Sequence, residues 1–81
     1  MCRIKAKFRA GPIKEERIAS IDTASGEVAE VILGASQAVK GGVEAVEICR
    51  DEKGRVLVEL PRETSSGAWR VWVEPSQLLR A

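Results

Sequence analysis

The chain contains no histidine and no tyrosine, and its 81 residues include one phenylalanine, two tryptophans and two cysteines. Histidine is the side chain that most often transfers protons near neutral pH, so its absence leaves carboxylates, lysines and thiols as candidates for acid–base catalysis. The sequence also has no glycine-rich phosphate-binding motif and no paired-carboxylate signature. We therefore predict that the protein is not an enzyme.

The two cysteines, Cys2 and Cys49, lie far apart in the sequence and form no C-x-x-C pair. Without histidine to complete a ligand set, neither a zinc site nor a disulfide framework is indicated, and we predict no metal and no cofactor. The strand pattern around Cys49 predicts a half-buried thiol that packs as a small apolar side chain. Two free thiols are typical of a reducing cytoplasm.

Charge and hydropathy argue against several classes of partner. Thirteen basic and twelve acidic side chains give a net charge of +1, so no overall field attracts the protein to nucleic acid, a membrane surface or an acidic ligand. Spanning a bilayer takes about 20 apolar residues in succession, and no segment approaches that; the N-terminal residues also lack an apolar signal core. We expect a soluble cytoplasmic protein that does not contact membranes.

Length and composition indicate one small domain over residues 1–81. Apolar residues make up 44% of the chain and charged residues 31%, as in folded globular proteins and unlike disordered ones. A core of this size leaves little surplus stability, because ordering the chain nearly cancels the gain from burial. A homodimer, which would bury more apolar surface, is therefore one expected state.

A short pattern occurs twice in the sequence. Each copy has a Thr-x-Ser-Gly turn, a valine and a Ser-Gln pair, at residues 23–26, 31 and 36–37 and again at residues 64–67, 71 and 76–77. An apolar run opened by an arginine precedes each copy, Arg17-Ile18 in the first and Arg55-Val56 in the second. Because a lone hairpin cannot bury its apolar face, the pattern predicts two hairpin units packed against each other.

Alternation of apolar and polar side chains, bounded by glycine and proline, predicts short strands. We expect strands over residues 3–10, 17–22, 28–33, 55–60 and 68–74, the second of them irregular because its isoleucines are three residues apart. The polar run from Asp51 to Gly54 predicts a hairpin loop.

The segment from Ser36 to Cys49 has two interpretations. In the first, Ser36 caps a single helical turn, two glycines end it, and a strand follows with Val46 and Ile48 inward and Glu47 outward. In the second, valines at helical spacing continue one helix to Cys49, with both glycines in its middle at a cost of about 1 kcal/mol each. The glycines favour the first interpretation, and both stay open.

Five to six short strands, with one or two single-turn helices, indicate a mainly β fold, a small antiparallel barrel. Residues 56–79 resemble the closing half of SH3-like small barrels, with a hairpin carrying Gly67, a strand through Trp69 and Trp72, and a short turn after Pro75. The chain departs from the peptide-binding members of that family, because it has no tyrosine and lacks their N-terminal acidic-aromatic motif. The resemblance therefore implies a barrel and does not imply recognition of proline-rich peptides.

Four basic side chains alternate with apolar ones near the start of the chain: Arg3, Lys5, Lys7 and Arg9. Alternate residues on one strand lie about 6.6 Å apart, so this basic row could follow a phosphate backbone. The other interpretation is a solvated edge strand whose lysines discourage unwanted pairing, with Glu47 and Glu59 as ion-pair partners. The nearly neutral net charge favours the second interpretation.

The two tryptophans differ in the face that they occupy on the last strand. Trp69 aligns with inward valines and is expected in the core, whereas Trp72 aligns with Arg70 and is expected at the surface. The repeat sets Ile32 against Trp72 and Ala29 against Trp69. Because isoleucine cannot stack on a base, apolar residues at both surface positions favour an interface over a nucleobase platform.

These patterns lead to two candidate functions. The first is a small non-enzymatic binding module, with Ile32, Arg70 and Trp72 on a surface for another protein or for a second copy of the chain. The alternative is a nucleic-acid-binding small barrel that uses the basic row. The sequence names neither a natural ligand nor a pathway.

Overall fold

The computed structural model describes residues 2–39 and 41–79. Within these ranges the protein is mainly β, with nine strands and two 3-10 turns. The strands are β1 Cys2–Lys5, β2 Lys7–Ala10, β3 Glu16–Asp22, β4 Val28–Gly34, β5 Ala38–Val39, β6 Gly42–Arg50, β7 Val56–Glu59, β8 Arg70–Val73 and β9 Leu78–Leu79. The 3-10 turns, Ala35–Gln37 and Pro75–Gln77, follow β4 and β8.

The strands pair antiparallel in two sheets. One has the order β8-β7-β6-β1-β9, with β5 also paired to β6, and the other has the order β2-β3-β4. The chain passes from the first sheet to the second at Ala6, whose N–H donates to the carbonyl of Gly41 over 3.2 Å. The single strand predicted over residues 3–10 is therefore two strands, because the chain changes sheets in its middle.

The strand register makes the hairpins β3–β4 and β7–β8 equivalent position by position. Ile18 pairs with Ile32 in the first hairpin as Leu57 pairs with Trp72 in the second. The same correspondence holds for the next pairs along each ladder. The register thus confirms the alignment of Ile32 with Trp72 that the sequence repeat predicted.

The arginine that opens each predicted unit is out of register between the two copies. Arg17 pairs with Leu33, and the equivalent ladder position in the second hairpin pairs Val56 with Val73. Arg17 therefore corresponds to Val56, not to Arg55. The irregularity predicted for the Arg17 strand was also wrong, because its pairing with β4 is continuous from end to end.

The two Thr-x-Ser-Gly turns have matching hydrogen bonds. The N–H of Gly26 donates to the carbonyl of Thr23 over 3.0 Å, and the N–H of Gly67 donates to the carbonyl of Thr64 over 2.9 Å. In each turn the threonine and serine hydroxyl oxygens lie 3.0 Å apart. The glycines have φ of +89° and +91°, a conformation that glycine adopts without steric cost.

Each of these turns also bonds to the last strand of the other hairpin. The N–H of Ala24 donates to the carbonyl of Trp72 on β8, and the N–H of Ser65 donates to the carbonyl of Glu30 on β4, both over 2.8 Å. A single antiparallel bridge also joins β4 to Thr64. The hairpins are therefore held by reciprocal contacts between turn and strand edge.

The core lies between equivalent positions of the two halves. Ile4 pairs with Val43 where β1 meets β6, and each is flanked by a residue following a 3-10 turn, Leu78 beside Ile4 and Ala38 beside Val43. Each large aliphatic side chain that is fully buried contributes about 1.5–3 kcal/mol. Most of the core comes in matched pairs: Ile4 and Val43, Ala19 and Val58, Ile21 and Leu60, Leu33 and Val73.

The structure decides between the two interpretations of residues 36–49. A 3-10 turn, the short strand β5 and the long strand β6 occupy the described part of this segment, so the helix interpretation was wrong; Lys40 lies outside the described residues. Gly41 has φ of +77°, which favours a turn between β5 and β6.

Two predicted inward side chains of that segment face outward. Pairing with β1 turns Val43 and Ala45 into the core, so strand alternation places Val46 on the opposite face. The register of β6 against β7 then shifts between Glu47 and Cys49, as in a β-bulge, and Ile48 is also exposed.

Trp69 and Cys49 are more exposed than the sequence predicted. Trp69 is 52% exposed, and it precedes the paired strand because β8 begins at Arg70, two residues later than predicted. The backbone carbonyl of Trp69 accepts the N–H of Leu60 over 2.8 Å. Cys49 lies near the end of β6, where it is exposed rather than half-buried.

Candidate interaction surface

The outer side of β6, β7 and β8 carries two rows of side chains set by strand pairing. Val46, Glu59 and Arg70 are directly opposite one another, and so are Leu57 and Trp72 in the next row. Ile48, two residues after Val46 on β6, is the unpaired residue of the bulge and precedes Cys49, which pairs with Leu57. We call these side chains the β6–β8 outer face: Val46, Ile48, Leu57, Glu59, Arg70 and Trp72.

Three large apolar side chains of the β6–β8 outer face are open to solvent. The exposed fractions are 43% for Val46, 39% for Ile48 and 38% for Trp72. Single exposed apolar residues are ordinary on a protein surface, but a contiguous group is typical of binding sites. Tryptophan is also among the residues that contribute most to binding at protein interfaces.

An ion pair joins β7 and β8 on this face. The Nε of Arg70 is 3.1 Å from a carboxylate oxygen of Glu59 on the neighbouring strand. Both side chains are exposed, so the pair adds at most about 1 kcal/mol to stability. It leaves the β6–β8 outer face with one positive charge, one negative charge and no net charge.

A groove continues the β6–β8 outer face past the end of β8. It has a volume of about 340 Å³ and is lined by Glu44, Ala45, Val46, Glu59, Leu60, Pro61 and Trp69. Val46 and Glu59 belong to both surfaces, so the groove and the face are continuous. The exposed indole of Trp69 thus lies next to the face, although the sequence placed it in the core.

The equivalent side of the other hairpin is built differently. Ile32 is 40% exposed and pairs with Ile18, which is half-buried. Arg9 forms a 2.7 Å ion pair with Glu30 and donates to the hydroxyl of Ser20 over 3.1 Å. Ile32 therefore belongs to the three-stranded sheet, and the structure brings together Arg70 and Trp72 but not all three predicted interface residues on one sheet.

The basic row is divided between the two sheets. Arg3 and Lys5 lie on β1, whereas Lys7 and Arg9 lie on β2, so the four cations do not follow one continuous strand. Lys5 and Lys7 line a cleft of about 550 Å³, and Asp22 lines it as well.

The predicted carboxylate partners of the basic row bind other arginines. Glu47 accepts a hydrogen bond from Arg50 over 3.0 Å, and Glu59 pairs with Arg70. The hydrogen bond from Arg50 lowers the pKa of Glu47.

Burial, and then the nearby charge of Glu47, raise the pKa of the Cys2 thiol, which disfavours a thiolate at neutral pH.

No protein-family model, no curated protein and no solved structure matches this chain. Over the two described ranges, no three histidine, cysteine or acidic side chains are grouped as a metal site. In the same ranges, no helix has the length and apolar character needed to cross a membrane.

Proposed function

We propose that the protein is a small non-enzymatic binding module that binds another polypeptide through the β6–β8 outer face. The observation that carries this proposal is that three exposed apolar side chains, Val46, Ile48 and Trp72, share one side of β6–β8 with one ion pair. Burying such side chains against a partner gains about 1.5–3 kcal/mol for each one fully covered. The groove beside Trp69 extends the apolar surface available to a partner.

Peptide selection tests this function and does not require the natural partner. Peptides selected from a random library on the immobilised protein are expected to be rich in apolar residues and to shift the NMR signals of the β6–β8 outer face. We expect Trp72→Ala to weaken their binding at least tenfold, since a tryptophan at the centre of an interface contributes about 2 kcal/mol or more.

Ile13→Ala is the matched control, because Ile13 is also an exposed large apolar residue but lies in the loop between β2 and β3. The control is expected to bind the peptides as the unmodified protein does. Shifts that map to another part of the chain, or equal losses in both variants, would contradict the proposed function.

We also propose that the two sheets close into a small SH3-like barrel and that the protein works in the cytoplasm. The reciprocal contacts of Ala24 with Trp72 and of Ser65 with Glu30 support closure, and the 3-10 turn at Pro75 supports the resemblance. Both cysteines are free, as expected in a reducing compartment. Nuclear Overhauser effects between these backbone groups in solution test the closure.

Nucleic-acid binding is the second candidate function, and one observation favours it. Lys5 and Lys7 line the same cleft, which is wide enough to admit a phosphate group, although Asp22 reduces its positive charge. Phosphate contacts predict an affinity for DNA or RNA that falls steeply as salt is raised from about 50 to 200 mM. Absence of binding at the lower salt concentration would eliminate this function.

A further inference from the structure

The β7–β8 part of the outer face carries complementary side chains on its two strands. Resting on the proposed function, we propose that a second copy of this chain covers the β7–β8 part of the face, related by a two-fold axis that runs along the seam between β7 and β8. The proposal depends on which side chains lie on each side of that seam.

The two rows of the face cross the seam in complementary pairs. Glu59 on β7 is opposite Arg70 on β8, and Leu57 on β7 is opposite Trp72 on β8. A two-fold rotation about the seam places β8 of the second copy over β7 of the first. Arg70 then meets Glu59 of the second copy, and Trp72 meets its Leu57. Each contact occurs twice, as in any isologous interface.

The charge distribution fits a second copy better than a strongly charged partner. With one arginine and one glutamate, the face offers no net attraction to a partner of either sign. When the face meets itself about this axis, two intermolecular ion pairs form beside apolar contacts, so no charge is left unpaired. One symmetry operation thus pairs the four β7–β8 side chains, while Val46 and Ile48 on β6 lie beside this contact.

The size of the surface indicates weak association. Stable interfaces involve about 20–30 residues on each partner, and this contact involves four side chains of each copy across the β7–β8 seam. We therefore expect a reversible dimer whose population rises with protein concentration, and the measurement must extend to about 1 mM. Sheets packed face to face in this way are usually aligned to within about 30°.

Two charge variants of the full chain test the axis. Glu59→Arg gives a face with two positive charges, and Arg70→Glu gives a face with two negative charges. Each variant alone is expected to associate at least tenfold more weakly than the unmodified protein, because like charges meet across the axis. An equal mixture of the two is expected to recover a dimer, which sedimentation equilibrium at low salt measures.

Arg9→Glu is the matched control, because it removes the ion pair of Arg9 with Glu30 on the other sheet. The control is expected to dimerise as the unmodified protein does. Circular dichroism and thermal unfolding check that all three variants are folded.

The outcomes separate this inference from the proposed function. A monomer at about 1 mM overturns the second copy as occupant, and selected peptides that still map to the face leave the binding module in place. A dimer that survives both single variants, or a mixture that stays monomeric, overturns the two-fold axis. A dimer lost in both variants and recovered in the mixture supports it.

Discussion

The two halves of the molecule agree inside and differ outside. The hairpins β3–β4 and β7–β8 have the same register and the same type of turn, and their inward positions are filled by matched aliphatic side chains. On the outward side, Ile18 and Ile32 of one half correspond to Leu57 and Trp72 of the other. The matched inward residues thus give the two halves the same architecture. The different outward residues give them different surfaces, which can bind different partners.

The charged positions make the same contrast. Glu30 in the first half occupies the ladder position of Arg70 in the second, and each is paired with a residue of opposite charge. In the first half, Ser20 lies between the charges, whereas in the second the two charged residues are direct neighbours. The second half therefore presents a compact ion pair within an apolar surface.

The largest expected effect tests whether the halves share one core. Ile21→Ala and Leu60→Ala remove equivalent buried side chains, and each is expected to lower the free energy of unfolding by about 2–5 kcal/mol. Urea denaturation measures the loss. If a variant fails to fold, the milder Ile21→Val is expected to cost about 0.5–1.5 kcal/mol. A cost near zero at either position would show that the halves do not bury the two residues equally.

Part of this architecture was predictable from the sequence, because it depends on local patterns. The turns follow from Thr-x-Ser-Gly, and the inward residues Val31, Leu33, Val56 and Val58 follow from alternation within each strand. The repeat also predicted which positions of the hairpins correspond. These features are set by residues that are close together in the chain.

The candidate surface was predictable only in part, because its other members depend on distant pairing. Arg70 and Trp72 were predicted, whereas Val46 and Ile48 were expected inside. Which side of β6 faces the core is set by its pairing with β1, and the bulge shifts its register to β7. Locally, Val43 and Ala45 alternate with Glu44, but Val46 follows Ala45 directly. This pattern allows either side of β6 to face the core.

The second prediction is that the two Thr-x-Ser-Gly turns contribute unequally to stability. Thr64 is buried and its hydroxyl accepts the N–H of Ala68 over 3.0 Å, whereas Thr23 is half-buried. Thr64→Val is expected to cost about 1–3 kcal/mol because that N–H loses its partner, and Thr23→Val is expected to cost less than about 1 kcal/mol. Thermal unfolding of the two variants measures the difference, and equal losses would contradict it.

The third prediction is that the glycines of the two turns contribute equally to stability. Gly26→Ala and Gly67→Ala each force alanine into a positive φ, at an expected cost of about 1–2 kcal/mol in unfolding free energy. A Cβ at Gly26 has no neighbour within 4 Å, and one at Gly67 is 3.7 Å from a carboxylate oxygen of Glu63, so backbone strain is the main cause. Gly34→Ala, without a positive φ, is the control, and chemical denaturation of all three variants compares them.

The smallest expected effect concerns the loop between β6 and β7. Burial alone would raise the pKa of Asp51, but hydrogen bonds from the Arg55 side chain and from the N–H groups of Arg55 and Lys53 outweigh it and lower the pKa. The resulting stability is present above the ordinary pKa of aspartate, about 3.9, and is lost as pH falls through the lowered value.

Asp51→Asn should therefore flatten the decline of stability between about pH 5 and pH 2, because asparagine does not titrate. Denaturant midpoints measured across this range test it. Lys53→Ala is the control, because it keeps the carboxylate and the N–H of residue 53 and should preserve the slope. A steep slope retained by the asparagine variant would assign the pH dependence to other carboxylates.

The reciprocal bonds between turns and strand edges also govern how the chain reaches its native state. Ala24 bonds to Trp72 and Ser65 bonds to Glu30, and both pairs are separated by a large part of the chain. Neither hairpin can form these bonds until the other hairpin is in place. A long loop must therefore close before the bonds contribute any stability. Proteins dominated by such distant contacts fold in about milliseconds to seconds, far more slowly than helical bundles of the same size. The two reciprocal hydrogen bonds between the halves are therefore expected to form late in folding and together.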